Sequence, residues 1–273
     1  MPELPEVETI RRGLLPHLLE KKVVAVEVRD SRLRLPVRKA ELQRCIGQRI
    51  VAISRRSKYL LLELSEGDVV VMHLGMSGRV LLVPKETPFE RHDHVILSLP
   101  QGRHLRFRDP RRFGLVVVVR HDEVQAHPLF VNLGVEPLSQ DFTAGYCHES
   151  GKNSDKPIKN FLMDASKIVG VGNIYANEAL FRAGHAPKKK TRRLKLSDWQ
   201  GLCVEIRNVL NEAIAQGGTT LNDFFNSNGE SGYFQQSLKV YDRAGLPCFQ
   251  CGKSIIKIIL AGRSSFYCKN CQR

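Results

Sequence analysis

Two short cysteine pairs constrain this chain more than any other feature. Cys248 and Cys251 sit in "CFQC", Cys268 and Cys271 in "CKNC", with sixteen residues between the pairs. Each pair can form a tight knuckle offering two thiolates, and two knuckles complete a tetrahedral Zn²⁺ site. Four thiolates leave no open coordination position, so one structural Zn²⁺ ion per chain is expected. The intervening "SIIKIILAGRSSFY" reads as a β-hairpin with "AGR" at its tip. Metal binding would supply most of the stability of so small a unit, on the order of 10 kcal/mol. Two disulfides are the competing reading, which the lack of an export signal disfavours. Cys45, Cys147 and Cys203 stand apart in the sequence and read as small buried hydrophobes.

The rest of the chain divides by periodicity. "ELPEVETIRRGLL" places Val7, Ile10 and Leu14 on one helical face, with Pro2 and Pro5 tolerable at its start and Pro16 expected to kink or end it. From Lys21 to about Arg120 the pattern turns to period two. "YLLLELSEGDVVVMHL" reads as two strands around Glu66-Gly67, and "HVILSLPQGRHLRFR" as two around Gln101-Gly102. Several short strands with regular turns point to an antiparallel sandwich or barrel. A Gly-, Pro-, Ser- and Asp-rich stretch follows and reads as a linker. Helical patterning then resumes: Ile158, Phe161, Leu162 and Ala165 share a face, "GVGN" breaks the chain, and "IYANEALFRAG" continues. A third helix is expected to open with a capping box at Ser197 and Gln200 and to stop before Gly217-Gly218. The expected organisation is α+β and multi-domain: a β domain with an N-terminal helix over 1–133, a linker over 134–155, a helical domain over 156–239 and the zinc ribbon over 240–273.

Charge narrows the function. Lys and Arg number 42 against 28 Asp and Glu, a formal +14. A chain this basic is poised for a polyanion, nucleic acid being the commonest, although a generally solvated basic surface satisfies the same count. "KKKTRR" from Lys188 to Arg193 is either a solvated connector, the favoured reading, or a phosphate contact. Arg263, at the ribbon tip, is either a solvated turn arginine or a donor for a DNA groove. No apolar run approaches the roughly 18 residues of a membrane span, and the acidic N-terminus lacks the apolar core of a secretory signal, so a cytosolic protein without a membrane partner is expected.

Read in order, "PELPEVET", "RRSKYLLLEL", "HLGMSG", "HDHV", "RFRDPRRFG", "GVGNIYANEALFRAG", "QGGTTLNDF" and the terminal "CKNCQR" resemble the bacterial formamidopyrimidine-DNA glycosylases from end to end. The resemblance implies a helix-capped antiparallel β-sandwich followed by a helix–two-turn–helix domain that carries the zinc ribbon. It implies a base-excision repair enzyme, a monomer on damaged double-stranded DNA, that removes 8-oxoguanine and formamidopyrimidines and then cleaves the abasic strand by β,δ-elimination. By position, Pro2 would be the nucleophile once Met1 is removed. Glu3 would manage the proton, Lys58 would assist at sugar and phosphate, and Arg263 would serve the second elimination. Met76, Arg111 and Phe113 would fill the space left by the extruded base and hold the orphaned cytosine. His73, His92, Lys159 and Asn173 would contact the lesion strand, and "TTLNDFFNSNGESGYFQ" would close over the extruded base. Two departures stand out. "GKNSDKPIK" lacks the family's lysine cluster, leaving Lys152 or Lys156 for that contact, and Val135 replaces the usual proline of "LGPEP".

The chemistry supports an amine terminus. Strand cleavage after base release needs an attack on C1′ that leaves an iminium, which acidifies the C2′ hydrogens. A lysine amine has a pKa near ~10.4 and an α-amino group near ~7.7–8.0, so the terminal amine is far more often neutral at pH 7. Basic surroundings lower it further. Glu6 reads as a supporter that holds a backbone N–H. An endonuclease VIII-like enzyme for oxidised pyrimidines is one alternative, disfavoured by Met76, Arg111 and Phe113. A noncatalytic zinc-ribbon DNA-binding protein is another, which gives no reason for Pro2 and Glu3.

Overall fold

The protein is described by a computed structural model covering residues 2–218 and 237–273. The segment expected to close over an extruded base, 219–235, lies outside the described residues, as does Met1. The chain divides into two compact units. The first holds Met1–Val131 and takes up the chain again at Gln216; the second begins at Asn132–Ala215 and ends at Arg273.

The first unit opens with helix α1 (Leu4–Leu18). It continues through β1 (Ala25–Val28), the short helix α2 (Lys39–Gln43), β2 (Ile50–Arg56), β3 (Tyr59–Leu64) and β4 (Asp68–His73). β5 (Arg79–Pro84), β6 (Asp93–Leu99), β7 (Arg103–Arg108) and β8 (Leu115–Arg120) complete it. Two four-stranded antiparallel sheets result, in the orders β1-β6-β7-β5 and β2-β3-β4-β8. Val70 and Met72 from one sheet, Leu97, Leu105 and Phe107 from the other, and Val7, Ile10, Leu14 and Leu18 from α1 share one core. The expected turns form, with Gly67 at φ 82° and the pair Gln101 and Gly102 at φ 61° and 65°, the left-handed pairing of a tight hairpin.

Of the two outcomes expected at Pro16, a kink or an end, the end does not occur; helix α1 runs on to Leu18. A proline ring has helical φ and forfeits one backbone bond, and here that loss falls in the last turn, where Leu14 and Leu18 are both fully buried.

The second unit contains α3 (Ala144–Gly151), α4 (Ile158–Leu162), α5 (Asn173–Arg182), α6 (Leu196–Ala215) and the hairpin β9 (Ile256–Leu260) and β10 (Arg263–Tyr267). The stretch 134–155, expected as a linker, carries α3. Thr143 caps it by accepting the Tyr146 N–H at 3.1 Å, and its buried Cys147 lies 3.7 Å, sulfur to sulfur, from Cys203 on α6. Ala165 falls outside α4 and is exposed, because Asp164 captures the Ser166 N–H and hydroxyl and turns the chain. At the start of α6 the reach-back arm is Asp198, whose Oδ2 accepts the Lys195 N–H at 2.8 Å, rather than Gln200.

Candidate functional site

The first unit presents its N-terminal residues on a fixed helix start. Pro2 directly precedes Glu3, the N-cap of α1, and Glu3 and Glu6 form a capping box in which the Glu3 N–H donates to Glu6 Oε2 at 2.8 Å. Both carboxylates are buried, at 3% and 2% exposure. Gly218, at φ +82°, packs against this pair: a Cβ there would stand 3.1 Å from Glu6 Oε1. Two arginines strap the helix to the sheet. Arg11 donates to the Ile53 carbonyl of β2 at 3.3 Å. Arg55 spans from Glu8 Oε2 on α1, 3.3 Å away, to the Ser57 carbonyl at 2.8 Å. Ser57, at φ +57°, turns the chain into Lys58, which is half-buried between β2 and β3. Glu8 is therefore the joint between the Pro2 end and the Lys58 turn. Burial works to raise its pKa, but hydrogen bonds from Arg11 and Arg12 and the nearby Arg55 charge win and hold it at about 2.

Met76, Arg111 and Phe113 are brought together on two touching loops. Gly75 packs so closely that a Cβ would meet the Phe113 carbonyl carbon at 2.4 Å. The fully buried Asp109 organises both loops. Its Oδ1 accepts the Ser77 hydroxyl at 2.6 Å and the Arg111 N–H at 3.3 Å, and its Oδ2 accepts the Gly114 N–H at 2.7 Å. Its main-chain oxygen also lies 2.8 Å from His94 Nε2. Arg112 between them adopts φ 59°, a left-handed turn that sends Arg111 and Phe113 outward together. The Arg111 guanidinium lies 4.9 Å above the Phe113 ring, while Met76 and Phe113 are 39% and 46% exposed. Exposed apolar side chains on a rigid base are what a wedge requires.

The two histidines behave differently from simple phosphate contacts. His73 is buried at the end of β4, its Nδ1 accepts the Gly75 N–H at 2.9 Å, and it packs on Tyr59. Burial first, then the Arg34 and Lys58 charges, push its pKa down to about 3. It is a neutral support for the Met76 loop. His92 keeps a buried Nδ1 without a partner among the described residues.

In the second unit, Asn173 opens α5 one residue after the N-cap Gly172, and its buried Oδ1 has no hydrogen-bond partner among the described residues. A buried polar atom without a partner at a helix N-terminus marks a candidate ligand position. Lys152 is exposed and pairs with Glu149, and Lys156 donates to Asp164 Oδ2 at 2.7 Å. Lys159, expected on the DNA strand, is 1% exposed and donates to the Ser264 carbonyl at 2.7 Å and Ser265 Oγ at 2.6 Å. It holds the zinc-ribbon hairpin. Arg263 sits exposed at the start of β10, following a two-residue turn of Ala261 at φ 45° and Gly262 at φ 74°.

The four ribbon cysteines converge. Their sulfurs all lie within 4.8 Å of one another, with Cys251 and Cys268 at 3.4 Å and Cys248 and Cys271 at 3.9 Å. A tetrahedron with Zn–S bonds of about 2.3 Å has edges of about 3.8 Å, so the donor set fits a closed Zn²⁺ site. None of the seven cysteines is in a disulfide, and the Lys253 N–H holds the Cys251 thiol down, to about 7.

Sequence reasoning missed Glu8, Ser77, Asp109 and Asn177. Asp109 alone left a signal, the Asp-Pro turn in "DPRRFG"; the others are ordinary helix and loop residues until their partners are known.

Known proteins agree with this geometry along the whole chain. Residues 1–116 match the formamidopyrimidine-DNA glycosylase N-terminal domain, 133–224 its H2TH domain, and 245–273 the zinc finger found in FPG and IleRS. A formamidopyrimidine-DNA glycosylase of Acidithiobacillus ferrooxidans is 49% identical over 273 residues, covering all of both chains, and one of Escherichia coli is 47% identical with the same coverage. Among solved structures, a Lactococcus lactis FPG mutant in complex with Fapy-dG-containing DNA superposes with a TM-score of 0.92 at 33% identity, over the full length of both chains. The Thermus thermophilus MutM (FPG) protein gives 0.89 at 41% identity, covering 99% of this chain and 98% of its own. A wild-type Lactococcus lactis FPG complex with DNA containing an oxidised pyrimidine gives 0.91 at 34% identity, with full coverage of both. The chain belongs to the formamidopyrimidine-DNA glycosylase family.

Proposed function

We propose that this chain excises oxidised purines, 8-oxoguanine and formamidopyrimidines, from duplex DNA and then cleaves the abasic strand, with Pro2 as the nucleophile. The observation that carries the reading is Pro2 placed directly before a buried glutamate pair, on a helix end strapped to the Lys58 turn. Removal of Met1 is part of the proposal, because an amide nitrogen is not nucleophilic.

The free Pro2 nitrogen attacks C1′, the C1′–N glycosidic bond breaks, and its electron pair leaves with the protonated base. The sugar ring opens as the iminium forms, with Glu3 moving the proton at the ring oxygen. The iminium acidifies C2′; loss of that proton breaks the C3′–O3′ bond and releases the downstream strand as a 5′-phosphate. Loss of the C4′ proton then breaks the C5′–O5′ bond. Water hydrolyses the remaining iminium and frees Pro2 and an unsaturated aldehyde. Lys58 balances phosphate charge near the reacting sugar. Arg263 stays protonated throughout, so its task at the second elimination is to hold the departing phosphate rather than to donate a proton. Met76, Arg111 and Phe113 occupy the space of the extruded nucleotide, and His92, Lys152 and Asn173 contact the strand. Lys159 and His73 support those contacts from within the protein. The zinc ion fixes the ribbon that carries Arg263.

One observation favours a second, wider reading of the substrate: the Lactococcus lactis relative is recorded with oxidised-pyrimidine DNA. The chain would then accept pyrimidine lesions as well, more slowly. A monomer working on DNA in the bacterial cytosol belongs to the same reading, supported by the bacterial relatives. Among the described residues no helix is long and apolar enough to cross a membrane.

The test is a comparison of end-labelled duplexes carrying 8-oxoguanine opposite cytosine, an oxidised pyrimidine, or no lesion. Base release and strand cleavage, fastest with 8-oxoguanine, are expected. Cleavage favouring the pyrimidine would move the chain's activity to the alternative, and DNA binding without base release would remove the catalytic reading.

A further inference from the structure

Two buried polar side chains pin the ribbon hairpin to the helices, and the reaction as proposed places neither of them at the reacting atoms. Asn177, 1% exposed, accepts the Phe266 N–H on its Oδ1 at 2.7 Å and donates from Nδ2 to the Asn173 carbonyl at 2.6 Å. Its orientation follows from chemistry, since the oxygen alone can receive an N–H and the nitrogen alone can serve a carbonyl. Lys159 supplies the second pin, at Ser264 and Ser265. Both pins grip β10 within three residues of Arg263. The tight Ala261-Gly262 turn leaves little slack between that grip and the guanidinium.

We infer that Asn177 is a positioning residue for the second elimination, holding Arg263 through β10 and Asn173 through the first turn of α5. This rests on the proposed function, in which Arg263 holds the phosphate that departs from C5′. In that step the C4′–H electron pair becomes the new C=C bond and the C4′ proton passes to Glu3. The C5′–O5′ pair leaves on the phosphate. Misplacing the guanidinium by a fraction of an ångström weakens its hold on the developing charge. Base release and the first elimination depend on Pro2 and Glu3, which Asn177 does not touch.

The experiment is a product-partition assay on an abasic-site duplex, resolving strands that end in the unsaturated aldehyde from those that end in a 3′-phosphate. Asn177→Leu removes both hydrogen bonds at similar volume. With one zinc per chain retained, it should lower the ratio of doubly to singly eliminated product by about tenfold, in line with the sensitivity of positioned groups to small displacements. Arg263→Ala in the same assay separates the two claims. If Arg263→Ala leaves the ratio unchanged, the reading of Arg263 fails, and the inference with it. If Arg263→Ala lowers the ratio and a zinc-replete Asn177→Leu does not, the inference alone is overturned. Should Asn177→Leu lose zinc, Asn177→Ser is the milder probe: its shorter side chain gives up both hydrogen bonds without placing apolar bulk there, and a ratio lowered about threefold supports the positioning role. An unchanged ratio overturns it.

Discussion

Ser77 donates its hydroxyl to Asp109 at 2.6 Å, and that bond ties the loop carrying Met76 to the loop carrying Arg111 and Phe113. The same carboxylate takes the Gly114 and Arg111 N–H groups, so the wedge residues depend on one buried charge. Asp109→Ala leaves those donors buried and unsatisfied. It should destabilise the first unit by about 2–4 kcal/mol in urea unfolding. Excision from duplex DNA should fall more than cleavage of an abasic site, which needs no base extrusion. A loss under about 1 kcal/mol would show that Asp109 does not organise the loops.

His73 sets one window of pH dependence. Its folded pKa lies near 3, below the ordinary histidine value of 6.5. Between those values the unfolded chain binds more protons than the folded one, so stability rises with pH and is lost as pH falls below about 6.5. His73→Gln should flatten that slope, measured as unfolding midpoint against pH from 7 to 4. An unchanged slope would contradict a buried neutral imidazole.

Glu8 sets a lower window. Its folded pKa is near 2 against an ordinary 4.5, so its ion-pair contribution is complete above about 4.5 and disappears as pH falls toward 2. Glu8→Gln should reduce stability at pH 7 and leave little difference from wild type at pH 2. Because Arg55 joins Glu8 to the Lys58 turn, strand cleavage should weaken at neutral pH as well. Equal pH profiles would show that Glu8 is a solvated charge.

The ribbon makes a metal prediction. Purified protein should carry about one Zn²⁺ per chain, and chelation under native conditions should unfold the hairpin and abolish DNA cleavage. Retained cleavage after verified zinc removal would place Arg263 outside the reaction.

Much of this was readable from the chain, and the exceptions have physical causes. Alternation in "HLRFR" marks β7, β4 reads as an unbroken apolar run because all six of its residues are buried, and the Glu66-Gly67 and Gln101-Gly102 turns announce themselves by residue type. The cysteine spacing specifies its own chemistry, so the metal site needs no partner elsewhere. β5 has no clean alternation, since Leu81, Leu82 and Val83 are all half-buried. α3 is hidden by a polar segment whose buried surface is chiefly Cys147 and Gly151. Asn177, Ser77 and Glu8 could not be singled out, because the partners of a buried polar group come from far along the chain. Lys159 shows the same limit from the other side: the resemblance implies a DNA contact, yet its ammonium donates to Ser264 and Ser265 inside the second unit.

The central claim is that the Pro2 amine attacks the sugar, and borohydride trapping tests it most directly. Incubation with an 8-oxoguanine duplex and sodium borohydride should give a covalent protein–DNA adduct, which peptide mass spectrometry assigns to an N-terminal peptide beginning at Pro2. A variant that retains Met1 should give none. An adduct on Lys58 or any other lysine, or an adduct that persists with Met1 in place, would contradict the account.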